Sequence, residues 1–464
     1  MLSRRSQPRA ALSALTLSLI GLGAATAAER PEDRGGEARP AEDRPGTARP
    51  GKGSGAKADG REAPDDKAPE SKAPDGRPPV TLDEKGITVR LDDGSKVRIG
   101  GRLHGDFGTG RVQQRGFGTV FEEPAAIRRA WIETYYSLKD FEFAFQYDLI
   151  EPKMPVNDAI VAYKGFKDVI ITHGNFKEPF SLDQLISNNV TQFAERSQAD
   201  AFAPARSFGT AIGTHGESWT AVTGVFGGNI NSGLQTNGIA STTRVTYTPW
   251  RAENGNDVLH LGLAGSYRAL GDDAGDLNLS SRPEAFLFSR PLADTLTIRD
   301  ATAVGRVGLE AAWQQGPFRL QGEYILTDVE RRDGRPPLFF QGGYIQASVV
   351  LDGKGRPYRV APNYGSEYGV FTGVELEDRQ RVSRGGTGVF ELGLRYSAID
   401  LESRDVRGGI EHDFTAGVNW YPDRNIRFVF DYVRSHAAPS AESLDFGRRT
   451  VDADVFIGRA QLFW

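Results

Sequence analysis

The side chains best suited to acid–base or metal chemistry are few and scattered along the chain. The 464 residues include no cysteine and six histidines, at positions 104, 173, 215, 260, 412 and 436. These histidines lack the close spacing of a metal site, and no P-loop, dinucleotide-binding or zincin motif occurs. We therefore expect no metal, no cofactor and no enzymatic activity. His215 and Ser218 are close in sequence, but they fall in a very short link between predicted strands, which argues against a lipase-like site there.

The elements that carry the remaining side chains are predicted strands with two different faces. Phe141, Phe143, Phe145, Tyr147 and Leu149 alternate with other residues and form the clearest apolar stripe. A period of two fits a strand between the lipid and the lumen of a membrane barrel, and it also fits a half-buried strand of a soluble sandwich. Outside the N-terminus the chain has no apolar run long enough for a membrane helix.

About sixteen such runs follow one another, from Val97–Phe107 to Asp454–Trp464. This pattern predicts an all-β protein, a transmembrane antiparallel β-barrel formed by residues 81–464. An even strand count returns the C-terminus to the side of the N-terminus, as single-chain bacterial barrels require. Every second link is short, which is typical of periplasmic turns: 138–140, 165–168, 215–218, 314–317 and 422–425. The exception is the long link from Leu351 to Gly388, which is either an inserted segment or a sign that the strand count slips.

The two ends of the chain indicate an outer-membrane location. The last run ends on Phe463 and Trp464, an aromatic ending that we expect the barrel-assembly machinery to recognise. Residues 1–28 combine arginines, an apolar stretch and small residues near Ala27 and Ala28, which predicts a cleaved secretory signal. A retained membrane anchor is the alternative. The expected location is the outer membrane of a Gram-negative-type bacterium, in contact with its lipid.

Residues 29–80 have a different composition from the rest. From Glu29 to Pro79 the chain contains nine Pro and eight Gly but no Val, Ile, Leu or aromatic residue. Such a segment cannot form a hydrophobic core, so we expect a disordered linker in the periplasm. It either serves as a solvated spacer or touches the peptidoglycan.

Several short motifs, taken in chain order, resemble the phosphate-selective porin O and P family of outer-membrane channels. They lie at 173–182, 194–197, 201–206, 316–324, 343–348, 355–358, 390–397 and 417–422. Together they cover nearly all of the chain after residue 86. Asp352-Gly-Lys354 departs from the family, which more often has Thr-Gly-Glu there, and many members carry a coiled coil where this chain has its linker.

The resemblance implies a sixteen-stranded homotrimeric porin whose third extracellular loop folds into the lumen and forms a constriction. The segment from Lys177 to Arg206 is in the right place for this loop. In selective members cationic side chains replace part of the hydration shell of an anion such as phosphate, and guanidinium and ammonium groups offer charge-assisted donors for it. The candidate anion-binding residues are Lys177, Arg196 and Arg206 on the loop and Arg129 on the second strand.

Each candidate also has a purely structural interpretation. The alternative for Arg196 is to hold the loop to the wall or to pair with Glu195. The alternative for Lys177 is to neutralise Glu178, and that for the neighbouring Arg128 is a position at the headgroup rim. The overall charge does not favour an anion funnel either, because residues 81–464 carry 42 Lys and Arg against 49 Asp and Glu. Three functions stay open: an anion channel for phosphate or polyphosphate, a weakly selective nutrient porin, and a non-conducting structural or adhesion barrel. The acidic balance opposes nucleic-acid binding.

Overall fold

The structure is a computed structural model that describes residues 80–83, 86–114, 120–122, 124–232, 238–253, 256–271, 277–288, 290–351, 353–362, 364–438 and 450–464. The predicted signal sequence, residues 1–28, lies outside the described residues, as does the predicted linker up to residue 79. No helix in the described part of the chain is both long and apolar enough to cross a membrane.

Sixteen strands form a closed antiparallel barrel, as the sequence predicts. In chain order they are β1 Lys96–Gln114, β2 Ala125–Leu138, β3 Phe141–Asp148, β4 Val156–Phe166, β5 Val169–Lys177, β6 Arg206–His215, β7 Trp219–Phe226, β8 Ile239–Arg251, β9 Val258–Ala269, β10 Ala301–Gln315, β11 Phe318–Arg331, β12 Leu338–Leu351, β13 Val389–Ser403, β14 Val406–Asp423, β15 Ile426–Ala438 and β16 Val451–Phe463. Each strand pairs with the next along the chain. The last strand pairs with the first from Val451↔Gln114 to Phe463↔Arg102, which closes the wall.

The alternation of side chains places an apolar surface outside and a polar surface inside. On β15, Phe430 is exposed on the outer face, whereas Val429 and Asp431 on either side of it are buried inside. Aromatic rings meet on the outer face of β3 and β4, where Phe141 and Tyr163 have centroids 5.0 Å apart. A barrel with this apolar band is suited to contact lipid on its outer side.

An additional hairpin lies before the barrel. Its strands, Val80–Asp83 and Gly86–Arg90, pair with each other, and the second also pairs with β1 from Ile87↔Ile99 to Arg90↔Lys96. Gly86 has φ 100°, and a Cβ atom there would come within 2.2 Å of the Ile99 carbonyl oxygen. The hairpin therefore depends on glycine at this position.

In the described part of the chain, three links fold into the lumen and pack on one another. Loop 3 (residues 178–205) and the described residues of loop 5 (within 270–300) enter from the end with the longer links, and the described residues of turn 6 (within 352–388) enter from the end with the short ones. Turn 6 is thus an inserted segment, and the strand count does not slip at this point. The links carry the helix α1 Leu182–Leu185, the 3-10 helices Gln198–Phe202, Asp378–Gln380 and Val382–Arg384, and the strand pairs Ser280–Ser281 with Ala293–Asp294 and Tyr358–Arg359 with Val370–Phe371.

The hydrophobic core lies inside the barrel, between these inserts and the wall. Phe180 and Phe202 of loop 3 pack with Leu279 of loop 5 and with the inner face of β10–β13. Leu182 and Leu185 of loop 3 pack with residues 370–371 of turn 6. The apolar contacts therefore hold the inserts at fixed positions across the lumen.

Candidate functional site

Loop 3 is attached to the barrel wall through a buried carboxylate. Glu323 on β11 accepts hydrogen bonds from the backbone N–H groups of Leu182 (3.0 Å) and Asp183 (2.6 Å), at the start of α1. The hydroxyl of Tyr344 donates to the same carboxylate at 2.7 Å. A carboxylate that accepts backbone N–H groups forms strong, charge-assisted hydrogen bonds. This contact fixes the point at which loop 3 turns into the lumen.

Arg196 holds the shape of loop 3 itself. Its guanidinium donates to the carbonyl oxygens of Asp183 (2.9 Å) and Ile186 (2.8 Å) and to the side chains of Gln184 (3.0 Å) and Asn188 (2.7 Å). A planar group with five N–H donors is well suited to bind several acceptors of one loop at once. Arg196 therefore connects the beginning of the loop with its end.

Turn 6 is connected both to loop 3 and to the wall. Lys177 Nζ donates to the Leu185 carbonyl oxygen and lies 3.3 Å from Glu367 of turn 6. Burial would raise the pKa of Glu367, but the positive charges of Lys177 and Arg359 hold this pKa below its usual range. Arg356 forms a bidentate pair with Glu391 on β13, with N···O distances of 2.9 and 2.7 Å, and also donates to the Val190 carbonyl oxygen of loop 3.

Breaking the Arg356–Glu391 pair is expected to loosen turn 6. Both side chains are buried, and removing one partner of such a pair costs about 3–5 kcal/mol because the other charge is left unpaired. We expect Arg356→Met to lower the thermal stability of the barrel and to raise single-channel conductance as turn 6 leaves the lumen. Arg356→Met with Glu391→Leu should recover the stability, and Arg384→Met, at an exposed arginine of the same segment, should change neither property. Unchanged conductance in Arg356→Met would contradict this role.

A cavity of about 410 Å³ lies between loop 3, loop 5 and strand β2. Its lining includes five arginines and three carboxylates: Arg128, Arg129, Arg196, Arg206, Arg282, Glu195, Asp200 and Glu284. These charges leave an excess of two positive charges in the lining. The cavity can therefore attract anions even though the chain as a whole is acidic.

Several of these charged groups are already paired. Arg128 forms two hydrogen bonds with Glu195, at 2.9 and 3.2 Å, and its guanidinium lies 3.9 Å from the centre of the Phe286 ring. Burial would raise the pKa of Glu195, but Arg128 and Arg459 hold it well below its usual value. Arg206 donates to Asp158 on β4 at 2.6 Å. Paired arginines offer an incoming anion less than unpaired ones do.

Arg129 and Arg282 differ from the other arginines of the lining. Arg129 is 8% exposed, and its buried Nη1 donates no hydrogen bond. Arg282 is exposed to the cavity, and its side chain has no hydrogen bond or ion pair within the described residues. The Arg129 guanidinium, enclosed without an acceptor for Nη1, has lost hydration that a bound anion would replace, and the exposed Arg282 guanidinium has its donors open to an anion.

A comparison with protein families decides the identity of the barrel. The model of the family described as phosphate-selective porin O and P matches residues 97–464. The chain belongs to this family. The family resemblance predicted from the short sequence motifs is thereby confirmed. The protein is an outer-membrane porin, a channel rather than an enzyme.

Individual relatives are distant. Porin O of Pseudomonas aeruginosa is 25% identical, over 82% of this chain and 93% of Porin O. An uncharacterized protein of Caulobacter vibrioides is 27% identical over 62% of this chain, and the match spans only 58% of that protein. Among solved structures, the anion-selective porin from Comamonas acidovorans is 13% identical with a TM-score of 0.49, over 80% of this chain and 100% of that one.

The porin brings three of the four predicted anion-binding residues to one place. Arg129, Arg196 and Arg206 line the cavity, although Arg196 and Arg206 are engaged in the contacts given above. Lys177 is not in the lining of this cavity, because its Nζ is directed at the carbonyl oxygens of loop 3 and at Glu367. The cavity contains no group of three His, Asp or Glu side chains suited to a metal ion, and neither do the other described residues.

Two arginines of the lining, Arg128 and Arg282, were not among the anion-binding residues predicted from the sequence. For Arg128 the sequence offers the headgroup rim only as a structural alternative. The pairing of β1 with β2 shifts between His104↔Arg129 and Gly105↔Ile127, so that Arg128 is an extra residue. Such a bulge interrupts the alternation of inward and outward side chains, so that Arg128 and Arg129 both reach the lumen. Arg282 was missed because nothing in the alternation of the strands indicates that loop 5 folds inward.

Proposed function

We propose that this porin passes small anions, phosphate foremost, through the cavity between loop 3, loop 5 and β2. The observation that carries the proposal is the presence of two arginines, Arg129 and Arg282, that line the cavity without a carboxylate partner. Arg128, Arg196 and Arg206 add to the positive potential of the same lining. Polyphosphate would meet the same groups.

The selectivity follows from the cost of removing water from an anion. An anion that enters a narrow passage loses part of its hydration shell, and donors in the wall must replace it. Guanidinium groups suit phosphate because they present parallel N–H donors to two oxygens. Their placement matters more than the net charge of −5 of the whole chain.

The test is the reversal potential of the purified porin in a planar bilayer under a potassium chloride gradient. We expect a reversal potential with the sign that selective chloride permeation gives. We also expect the current to fall when phosphate is added. A weak or cationic preference would replace the proposal with the weakly selective nutrient porin. Absence of conductance would favour the structural or adhesion barrel.

The weakly selective porin is favoured by one feature of the cavity. Arg128 and Arg206 are each ion-paired with a carboxylate, Glu195 and Asp158, so their charges are partly cancelled at the lining. Arg129 and Arg282, which have no carboxylate partner among the described residues, then remain to discriminate between anions and cations. The measured permeability ratio distinguishes these two functions.

The proposal also covers the processing, location and assembly of the porin. Residues 1–28 act as a secretory signal, and residues 29–80 form a periplasmic linker. The barrel assembles as a homotrimer in outer-membrane lipid, and the barrel-assembly machinery recognises its C-terminal aromatic residues. The apolar outer band, with the ring contact between Phe141 and Tyr163, supports the lipid contact. The apparent mass of the unheated protein in a denaturing gel tests the trimer.

A further inference from the structure

The cavity also contains a carboxylate whose acceptors are open. Asp200 lies in the 3-10 helix Gln198–Phe202 of loop 3, and its side chain is 30% exposed. No described residue donates a hydrogen bond to either of its oxygens, and Oδ1 is buried without such a bond. Arg196 Nε forms an ion pair with Oδ1 at 3.7 Å, which is too long for a hydrogen bond. The Arg196 donors are instead used by the loop itself.

The other two carboxylates of the lining are saturated. Glu195 accepts hydrogen bonds from Arg128 and Arg459. Glu284 accepts from Arg395, from the Ser397 hydroxyl at 2.6 Å and from the Thr415 hydroxyl at 2.5 Å. Within the described lining, Asp200 is therefore the carboxylate that remains able to bind a donor from a solute.

Asp200 is ionised under ordinary conditions. Burial raises its pKa to about 6, and the neighbouring Asp183 and Glu195 act in the same direction, whereas Arg196 and Lys177 lower it. At pH 7.5 most molecules carry the carboxylate, which repels a solute that offers acceptors alone. A charged or polar donor would relieve the unmet acceptors.

The charged groups of the cavity that make no hydrogen bond to a described residue thus have a definite pattern: two guanidinium groups, on Arg129 and Arg282, and one carboxylate, on Asp200. We propose that the cavity is a binding site for a dicarboxylic amino acid, with its two carboxylates at the arginines and its ammonium group at Asp200. This inference rests on the proposed anion pathway and extends it to an organic solute. The volume of about 410 Å³ exceeds the roughly 30 Å³ share of a water molecule more than tenfold, which leaves room for such a solute.

Two solutes with the same carbon chain separate this proposal from simple charge attraction. Glutarate carries two negative charges and no ammonium group, whereas glutamate carries the same carboxylates and an ammonium group. Attraction to a positive lining alone would favour glutarate. The proposal requires the opposite order in the wild-type porin: at pH 7.5 glutamate should halve the chloride current at a lower concentration than glutarate. Glutarate acting as well as glutamate, or neither solute acting on an anion-selective channel, would overturn it.

The variant Asp200→Asn tests the assigned residue. We expect it to raise the half-blocking concentration of glutamate about tenfold, which corresponds to about 1.4 kcal/mol, and to leave or lower that of glutarate. Glu375→Gln, at an exposed carboxylate of turn 6, is the matched control and should change neither value. Equal shifts for both solutes would overturn the role of Asp200. If Asp200→Asn does not insert, the wild-type comparison still decides. A channel without anion preference in potassium chloride would instead reject the proposed function itself.

Discussion

Replacing Arg129 with glutamate is expected to abolish the anion preference of the channel. The substitution changes the lining from an excess of two positive charges to none, at a side chain that is 8% exposed and carries a donor without a partner. Two unit charges about 5 Å apart interact by about 3 kcal/mol at an effective dielectric constant of about 20. Because about 1.4 kcal/mol is a factor of ten, we expect the anion-to-cation permeability ratio to fall at least about tenfold. The reversal potential in a potassium chloride gradient measures this ratio.

Two further variants separate charge from structure in this result. Arg129→Lys retains the charge and should keep anion selectivity, while reducing the block by phosphate because an ammonium cannot donate in the planar, paired manner of a guanidinium. Arg384→Glu makes the same charge change on an exposed part of turn 6 and should leave the reversal potential unchanged. If Arg129→Glu and Arg384→Glu shift the potential equally, Arg129 has no special position in the pathway.

Most of the barrel could be predicted from the sequence because its strands obey a local rule. Each membrane strand must present apolar side chains to lipid and polar ones to the lumen, so that its signal is contained in about ten consecutive residues. The stripe from Phe141 to Tyr147 on β3 is an example, and its residues are exposed on the outer face. For the link from Leu351 to Gly388 the alternation leaves both an inserted segment and a slip in the strand count open, and the structure shows the inserted segment.

The interior of the barrel could be predicted only in part, because its contacts join distant residues. Arg206 pairs with Asp158 across 48 positions, and Arg459 pairs with Asp106 across 353. No local pattern indicates which arginine meets a carboxylate and which remains free. The sequence therefore named Arg129, Arg196 and Arg206 together, whereas the structure distinguishes Arg129 by its missing partner. The same reason explains why Asp200 did not stand out, since its neighbours in sequence do not reveal its open acceptors.

The closing seam of the barrel gives the second large expected effect. The backbone of Trp464 exchanges two hydrogen bonds with Gly101, Gly101 N to Trp464 O at 2.8 Å and Trp464 N to Gly101 O at 3.0 Å. The ring of Trp464 covers Gly101 so closely that a Cβ atom there would lie 2.6 Å from it. Phe463 N also donates to the Asn425 carbonyl oxygen at 3.0 Å. The last two residues therefore connect β16 both to β1 and to the adjacent turn.

Deleting Phe463 and Trp464 should prevent the assembly of the porin in the outer membrane. The seam joins residues more than 330 positions apart, so its closure is the least local step of folding. An open β1 or β16 edge exposes unpaired backbone groups that lipid cannot satisfy. We expect a loss of the heat-modifiable band in outer-membrane fractions. Trp464→Phe keeps a terminal aromatic ring and all backbone contacts, and it should assemble nearly as the wild type does. A normal amount of heat-modifiable protein after the deletion would show that neither the seam contacts nor the aromatic ending is needed for assembly.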